Sequence, residues 1–276
     1  MFKVIAEAGL KIKREKCKFM ESEVCYLGHK IDCNGLHPLD DKVKAIVEAP
    51  APRNVTELKS YLGLLNYYGR FLPNLSTTLA PLHYLLKKGI VYRWGKQQNK
   101  AFETSKQLLT SSKVLSHYDP SRELIVTCDA FAYGVGAVLA QKDSQDIEHP
   151  IAFASRSLAP AEKNYSQLDK EALAIIFSVK RFHQYLFERT FVIVTDHRPL
   201  LGLFGPDRPI PQLASARIQR WSLTLSAYKY TLVHRPGSQI SNADGLSRLP
   251  LPDAPTSVPV PGDILLLTNH LAENLM

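Results

Sequence analysis

The sequence predicts a mixed α/β domain built round one central sheet, preceded by a small, basic helical module. Three observations predict it. Short apolar runs alternate with helical periodicity between residues 124 and 234, whereas residues 40–110 show helical spacing punctuated by proline and glycine. The charge divides at the same place: residues 1–118 hold 19 Lys and Arg against 10 Asp and Glu, and residues 119–276 hold 15 against 16. The net charge of +8 therefore belongs to the first part, as expected of a segment that grips a polyanion.

A composition of 45% hydrophobic and 22% charged residues excludes a disordered tail, a collagen-like repeat and a disulfide miniprotein. No stretch approaches the ~18 apolar residues of a membrane span, and the start MFKVIAEAGLKIKREK lacks a signal-peptide core. Four cysteines in this length suit reduced thiols, so an intracellular location, cytoplasm or nucleus, is expected.

KCKF and EVCYLGHKI read as short strands, with turns at Gly28 and Asn34-Gly35. Asp40 or Asp41 is expected to cap a helix over 42–48, which stops before Ala49-Pro50-Ala51-Pro52. Asn54 with Glu57 three residues on is a capping box that opens a helix over 55–68. Pro73 ends that region, and 75–86 and 98–109 read as two more helices. About 80 residues of this kind fall short of a self-sufficient core, so docking onto a neighbour is expected. Beyond Asp119-Pro120, strands are predicted over 124–127, 134–139, 151–155, 191–195 and 229–234. A long helix is predicted over 167–185, with further helices over 217–226 and 243–248. The proline-rich residues 250–276 read as a linker.

Asp129 and Asp196 each follow a short apolar run, which puts both carboxylates at strand ends. Glu171 lies early on the long helix and Asp244 at the start of the last one. Clustered carboxylates repel, and some protonate unless a multivalent cation shares them. Hard oxygen ligands of this kind select Mg²⁺ or Mn²⁺ over zinc. The residue types alone leave a plainer assignment open, with Asp129 and Asp244 as turn and cap residues and Glu171 solvated.

TCDAFAYGVGAVLAQ, HPIAFASRSLAPAEKNYSQLDKEALAIIFSVKRFHQYL, FVIVTDHRPL, RIQRW and HRPGSQISNADGLSR, in that order, resemble the ribonuclease H domain of gypsy-type long-terminal-repeat retrotransposons. Upstream, KCKF, CYLGHKID, GLHPLDDKVKAI and NVTELKSYLGLLNYYGRFLPN resemble the end of the palm and the thumb-to-connection region of the same reverse transcriptases. The resemblance implies a ribonuclease-H-like mixed five-stranded sheet with helices over 116–249. It also implies a palm remnant over 1–39 and a thumb/connection module over 40–115. The implied reaction is metal-dependent endonucleolytic hydrolysis of the RNA strand of an RNA–DNA hybrid. Two Mg²⁺ ions, replaceable by Mn²⁺, would be held by Asp129, Glu171, Asp196 and Asp244. No Tyr-x-Asp-Asp motif and no His-His-Cys-Cys module occurs, so polymerase and integrase portions of a polyprotein are expected as partners.

Arg217 and Arg220 flank Trp221 and are candidate backbone contacts, with the tryptophan in the core. Arg198, Lys59 and Arg70 are further candidate nucleic-acid contacts. His234, ten residues before Asp244, is either a proton shuttle or a strand-end histidine facing solvent. Phe131 replaces the family's usual serine and is expected to crowd the turn beside Asp129, at a cost if the backbone there needs a positive φ. Cys17, Cys25, His29, Cys33 and His37 invite a zinc site, but the first gap is wide for one. The rival to a nuclease is a non-catalytic nucleic-acid-binding remnant, which Phe131 favours. A transposase or integrase of the same superfamily ranks behind it, because it would need a different acid order and a zinc module.

Overall fold

The computed structural model describes residues 2–9, 11, 13, 17, 19–111, 114–206 and 215–237. After a short helix α1 (Phe2–Glu7), strands β1 (Glu23–Tyr26), β2 (His29–Asp32) and β3 (Gly35–Pro38) form an antiparallel three-stranded sheet. The expected strand EVCYLGHKI is β1 and β2, which turn at Leu27-Gly28, and the described residues of KCKF, Cys17 and Phe19, lie in no strand. The helices follow: α2 (Asp40–Val47), α3 (Val55–Tyr67), α4 (Leu75–Thr78), α5 (Ala80–Tyr84) and α6 (Lys96–Thr110).

Asn54 caps α3 as expected, its side-chain oxygen accepting from the Glu57 N–H at 2.9 Å. Helix α2 instead has Leu39 at its N-cap, and Asp40 and Asp41 sit in its first turn, where their charge opposes the helix dipole's positive end. The single helix expected over 75–86 is two short ones. Pro81, at the start of α5, cannot donate the bond that would continue α4 through it.

The second sheet has the order β6-β5-β4-β7-β8. Its strands are β4 (Leu124–Ala130), β5 (Gly134–Lys142), β6 (Glu148–Ser157), β7 (Thr190–Thr195) and β8 (Lys229–His234). The first three form an antiparallel meander; β7 runs parallel to β4, and β8 parallel to β7. The connecting helices are α7 (Pro160–Lys163), α8 (Gln167–Arg181), α9 (His183–Leu186), α10 (Leu200–Phe204) and α11 (Ala216–Leu225). The helix expected over 167–185 thus ends at Arg181, and a separate turn of helix carries on to Leu186.

Each face of this sheet is covered by something different. Leu124, Val126, Cys128, Val135 and Leu139 pack with Ala172, Ile175, Ile176 and Val179 of α8 in one core. Val138 and Phe153 point into a second core, built by Leu58, Leu62, Leu65, Phe71 and Leu72 of the helical segment. The expected docking of the helices is therefore onto this sheet.

Leu115 bridges the two parts. Its backbone exchanges hydrogen bonds with Leu36, and the next residue, Ser116, donates to Pro150 O at 2.8 Å. Gln141, 1% exposed, clamps the same connection: it accepts from Asp119 N at 3.0 Å and donates to His117 O at 2.6 Å.

Candidate active site

Three elements bring three acids together. Asp129 sits at the end of β4 as its sequence suggested, one residue inside it; pairing with β5 continues through it, Asp129 facing Gly136, to Ala130 facing Val135. Asp196 follows the last residue of β7, and the parallel register Thr127↔Val194 carries both acids to one end of the sheet. Glu171 sits on the second turn of α8, which packs against β4 and β5. One carboxylate oxygen from each of the three lies within 4.8 Å of the others. Asp196 is exposed, Asp129 half-buried and Glu171 only 4% exposed.

Burial, and then the nearby charges of Asp129 and Asp196, push Glu171 up to about 8. Two donors pull the other way, the Gln167 side chain and the Ala130 backbone N–H. Gln167 Nε2 lies 2.5 Å from Glu171 Oε1, while Glu171 Oε2 is buried without a hydrogen-bond partner. A carboxylate with a buried, orphaned oxygen, in a cluster with two further carboxylates, suits a proton or a cation. The all-oxygen donor set fits a hard divalent ion of the Mg²⁺ kind. Among the described residues, these acids are the one such cluster. Asp244, the fourth expected ligand, lies outside the described residues, as do the helix expected over 243–248 and the proline-rich tail.

His234 ends β8 opposite Thr195 and puts Nε2 3.1 Å from the backbone oxygen of Asp196. A carbonyl only accepts, so Nε2 is the donor in this contact.

Arg217 is committed internally. Its guanidinium stacks 3.6 Å over the Tyr165 ring and meets Asp169 at 3.2 Å, beside a partly buried Trp221 that joins the α8 core. Arg198, Arg220, Lys59 and Arg70 are exposed, and Arg198 follows Asp196 by two residues.

Phe131 does not have the positive φ that would have made it costly. Its N–H bonds Gly134 O at 2.7 Å, and its ring packs over Gly136. The zinc candidates are dispersed: Cys25 and Cys33 are exposed thiols, His37 meets Asp32 at 3.0 Å, and the His29 ring stacks on Phe71.

Sequence reasoning missed two residues of this neighbourhood. Gln167 was legible as the i−4 neighbour of Glu171 on a helix. Asn74, whose side chain reaches Gly136 beside Asp129, had no such signal, because it arrives from the helical segment.

Residues 119–228 match the family described as the RNase H-like domain found in reverse transcriptase. The Tf2-3 and Tf2-4 transposon polyproteins of Schizosaccharomyces pombe (strain 972) are each 38% identical to it over 248 residues, 89% of this chain. The chain is thus similar to part of retrotransposon polyproteins, and its residues 119–228 to the RNase H-like domain of reverse transcriptases. It spans 18% of the length of those polyproteins. Two foamy viral protease–reverse transcriptase structures share the fold, at 21–22% identity. One, in complex with an RNA/DNA hybrid, has a TM-score of 0.70 over 94% of this chain and 35% of its own. The other, in complex with double-stranded DNA, has a TM-score of 0.68 over 85% and 49%. Among the described residues, no helix of this chain is long and apolar enough to cross a membrane.

Proposed function

We propose that the chain hydrolyses the RNA strand of RNA–DNA hybrids, as the ribonuclease H part of a retrotransposon reverse transcriptase. The observation that carries this reading is the convergence of Asp129, Glu171 and Asp196 within 4.8 Å at one end of a ribonuclease-H-like sheet. A foamy viral relative in fold has been captured on an RNA/DNA hybrid, which supports the same substrate here.

In this mechanism Asp129, Glu171 and Asp196 hold Mg²⁺, or Mn²⁺ in its place, with Asp244 as a fourth ligand. When bound, two such ions supply an activated water and charge stabilisation for the leaving 3′-oxygen. The protein's own residues place and tune the carboxylates. The sheet fixes Asp129 through its pairing with Gly136 and carries Asp196 at the end of β7, and α8 brings Glu171 in from one face. His234, anchored through Nε2 to the Asp196 carbonyl, presents Nδ1 as a group to move a proton at the strand end. RNA is selected through its 2′-hydroxyls across the minor groove and not through base edges. Exposed Lys59, Arg70, Arg198 and Arg220 supply positive charge for the phosphate backbone. Residues 40–115 act as the thumb/connection, residues 116–249 carry the chemistry, and polymerase and integrase portions of the same polyprotein are the partners.

The test is a cleavage assay on a labelled hybrid, beside duplex DNA and duplex RNA, with and without Mg²⁺. We expect Mg²⁺-dependent cuts in the RNA strand of the hybrid alone, abolished by Asp129→Asn or Asp196→Asn while the melting temperature holds or rises. Each substitution removes a metal ligand yet relieves carboxylate repulsion. Cleavage by the Asp129→Asn protein at the wild-type rate would overturn the assignment.

A further inference from the structure

The geometry points to Gln167 as a positioning residue that sets which oxygen of Glu171 is left free to serve as a ligand. The inference rests on the proposed metal centre and deepens it.

Gln167 is the first residue of α8, and Glu171 lies four residues on, so the two share one helix face. The amide Nε2 donates to Glu171 Oε1 at 2.5 Å. A carboxylate on a rotatable side chain has two equivalent oxygens, and an unrestrained one exchanges them. Here the amide holds one oxygen, Oε1, and the other, Oε2, is left buried without a side-chain donor. Only one oxygen per acid is needed to bring the cluster within 4.8 Å, so a defined choice of oxygen is a defined ligand position.

Other contacts hold the start of α8 without Gln167. The Ser166 side chain caps the helix by accepting from Asp169 N, and Arg217 pairs with Asp169. The Gln167 side chain is exposed, so neither helix capping nor core packing explains its contact with a 4%-exposed carboxylate. Groups that hydrogen-bond a ligand and orient it typically set metal affinity by ten- to a hundredfold.

The test compares the wild-type chain with Gln167→Met, which keeps length and helix propensity but loses the donor. Mn²⁺ binding is read by electron paramagnetic resonance, alongside thermal melting without metal. We expect Gln167→Met to bind Mn²⁺ at least about tenfold more weakly, with a broadened Mn²⁺ spectrum and an unchanged metal-free melting temperature. Wild-type affinity and spectrum in Gln167→Met would overturn the positioning role. So would a lost affinity that merely tracks a lowered melting temperature. Asp129→Asn separates this from the underlying reading. If Asp129→Asn binds Mn²⁺ like wild type, the metal centre itself is wrong. If it loses binding while Gln167→Met retains it, the positioning role alone fails.

Discussion

Glu171 gives the residue scale its sharpest consequence. Burial beside two other acids raises it to about 8, above the 4.5 of an ordinary glutamate. Between those values the native protein keeps a proton that the unfolded chain has released, so stability falls as pH rises through that window. The contribution is full below about pH 4.5 and gone above about pH 8. Melting of the metal-free protein should therefore drop between pH 5 and pH 8, with Glu171→Gln flattening the slope and Mg²⁺ abolishing it, since a cation takes the proton's place. A slope equal in wild type and Glu171→Gln would assign it to other groups. Phe131 is the second residue-scale case. Its ring lies on Gly136, 3.0 Å from where a Cβ would stand there, so it fills space on the strand surface. Phe131→Ser should leave the hybrid cleavage rate unchanged and cost about 1 kcal/mol of stability through lost apolar burial. A faster Phe131→Ser enzyme would show that the ring obstructs the substrate after all.

At the scale of elements, the strands were legible because their apolar runs are short and bounded by turn residues, and β8 lies where its pattern placed it. The acids' convergence was legible only through the family motifs, since spacing does not reveal that β4 and β7 run parallel and side by side. The contact between α4 and the sheet was not legible at all. A Cβ on Gly136 would stand 2.5 Å from Asn74 Oδ1, on the strand position that faces Asp129. A Cβ on Gly134 would meet Ser76 Oγ at 3.0 Å, and Ser76 N donates to Ser155 Oγ at 3.1 Å. The glycines let the polar N-terminal end of α4 lie close against β5. Gly136→Ala should destabilise by roughly 1–3 kcal/mol through overpacking. Asn74 has φ +50, a conformation glycine adopts without strain, so Asn74→Gly makes room at little backbone cost. Chemical denaturation of the double variant should recover most of the loss. Strictly additive losses would mean that the two residues do not meet.

The whole molecule differs from a ribonuclease H domain with a loosely attached basic arm, which is how the charge division first reads. Val138 and Phe153 leave the sheet on the face opposite α8 and are each 5% exposed, in a core otherwise made by helical residues such as Leu62 and Phe71. Gln141 and the Leu36–Leu115 pairing hold the connection between the parts from the other side. Truncation to residues 116–276 removes that cover along with the basic charge. Re-exposing a Val and a Phe side chain costs about 1.5–3 kcal/mol each. The net stability of a domain is only about 5–15 kcal/mol, and the loss of the clamp adds to that cost. The fragment should therefore aggregate or melt without a cooperative transition, so a loss of hybrid binding on truncation would report unfolding as well as lost charge. Co-expression separates the two explanations. If the halves share a core, residues 1–115 and 116–276 made as separate chains should copurify one to one and recover a cooperative melt. A monomeric 116–276 fragment that melts with the full chain would show instead that the helices merely rest on the sheet.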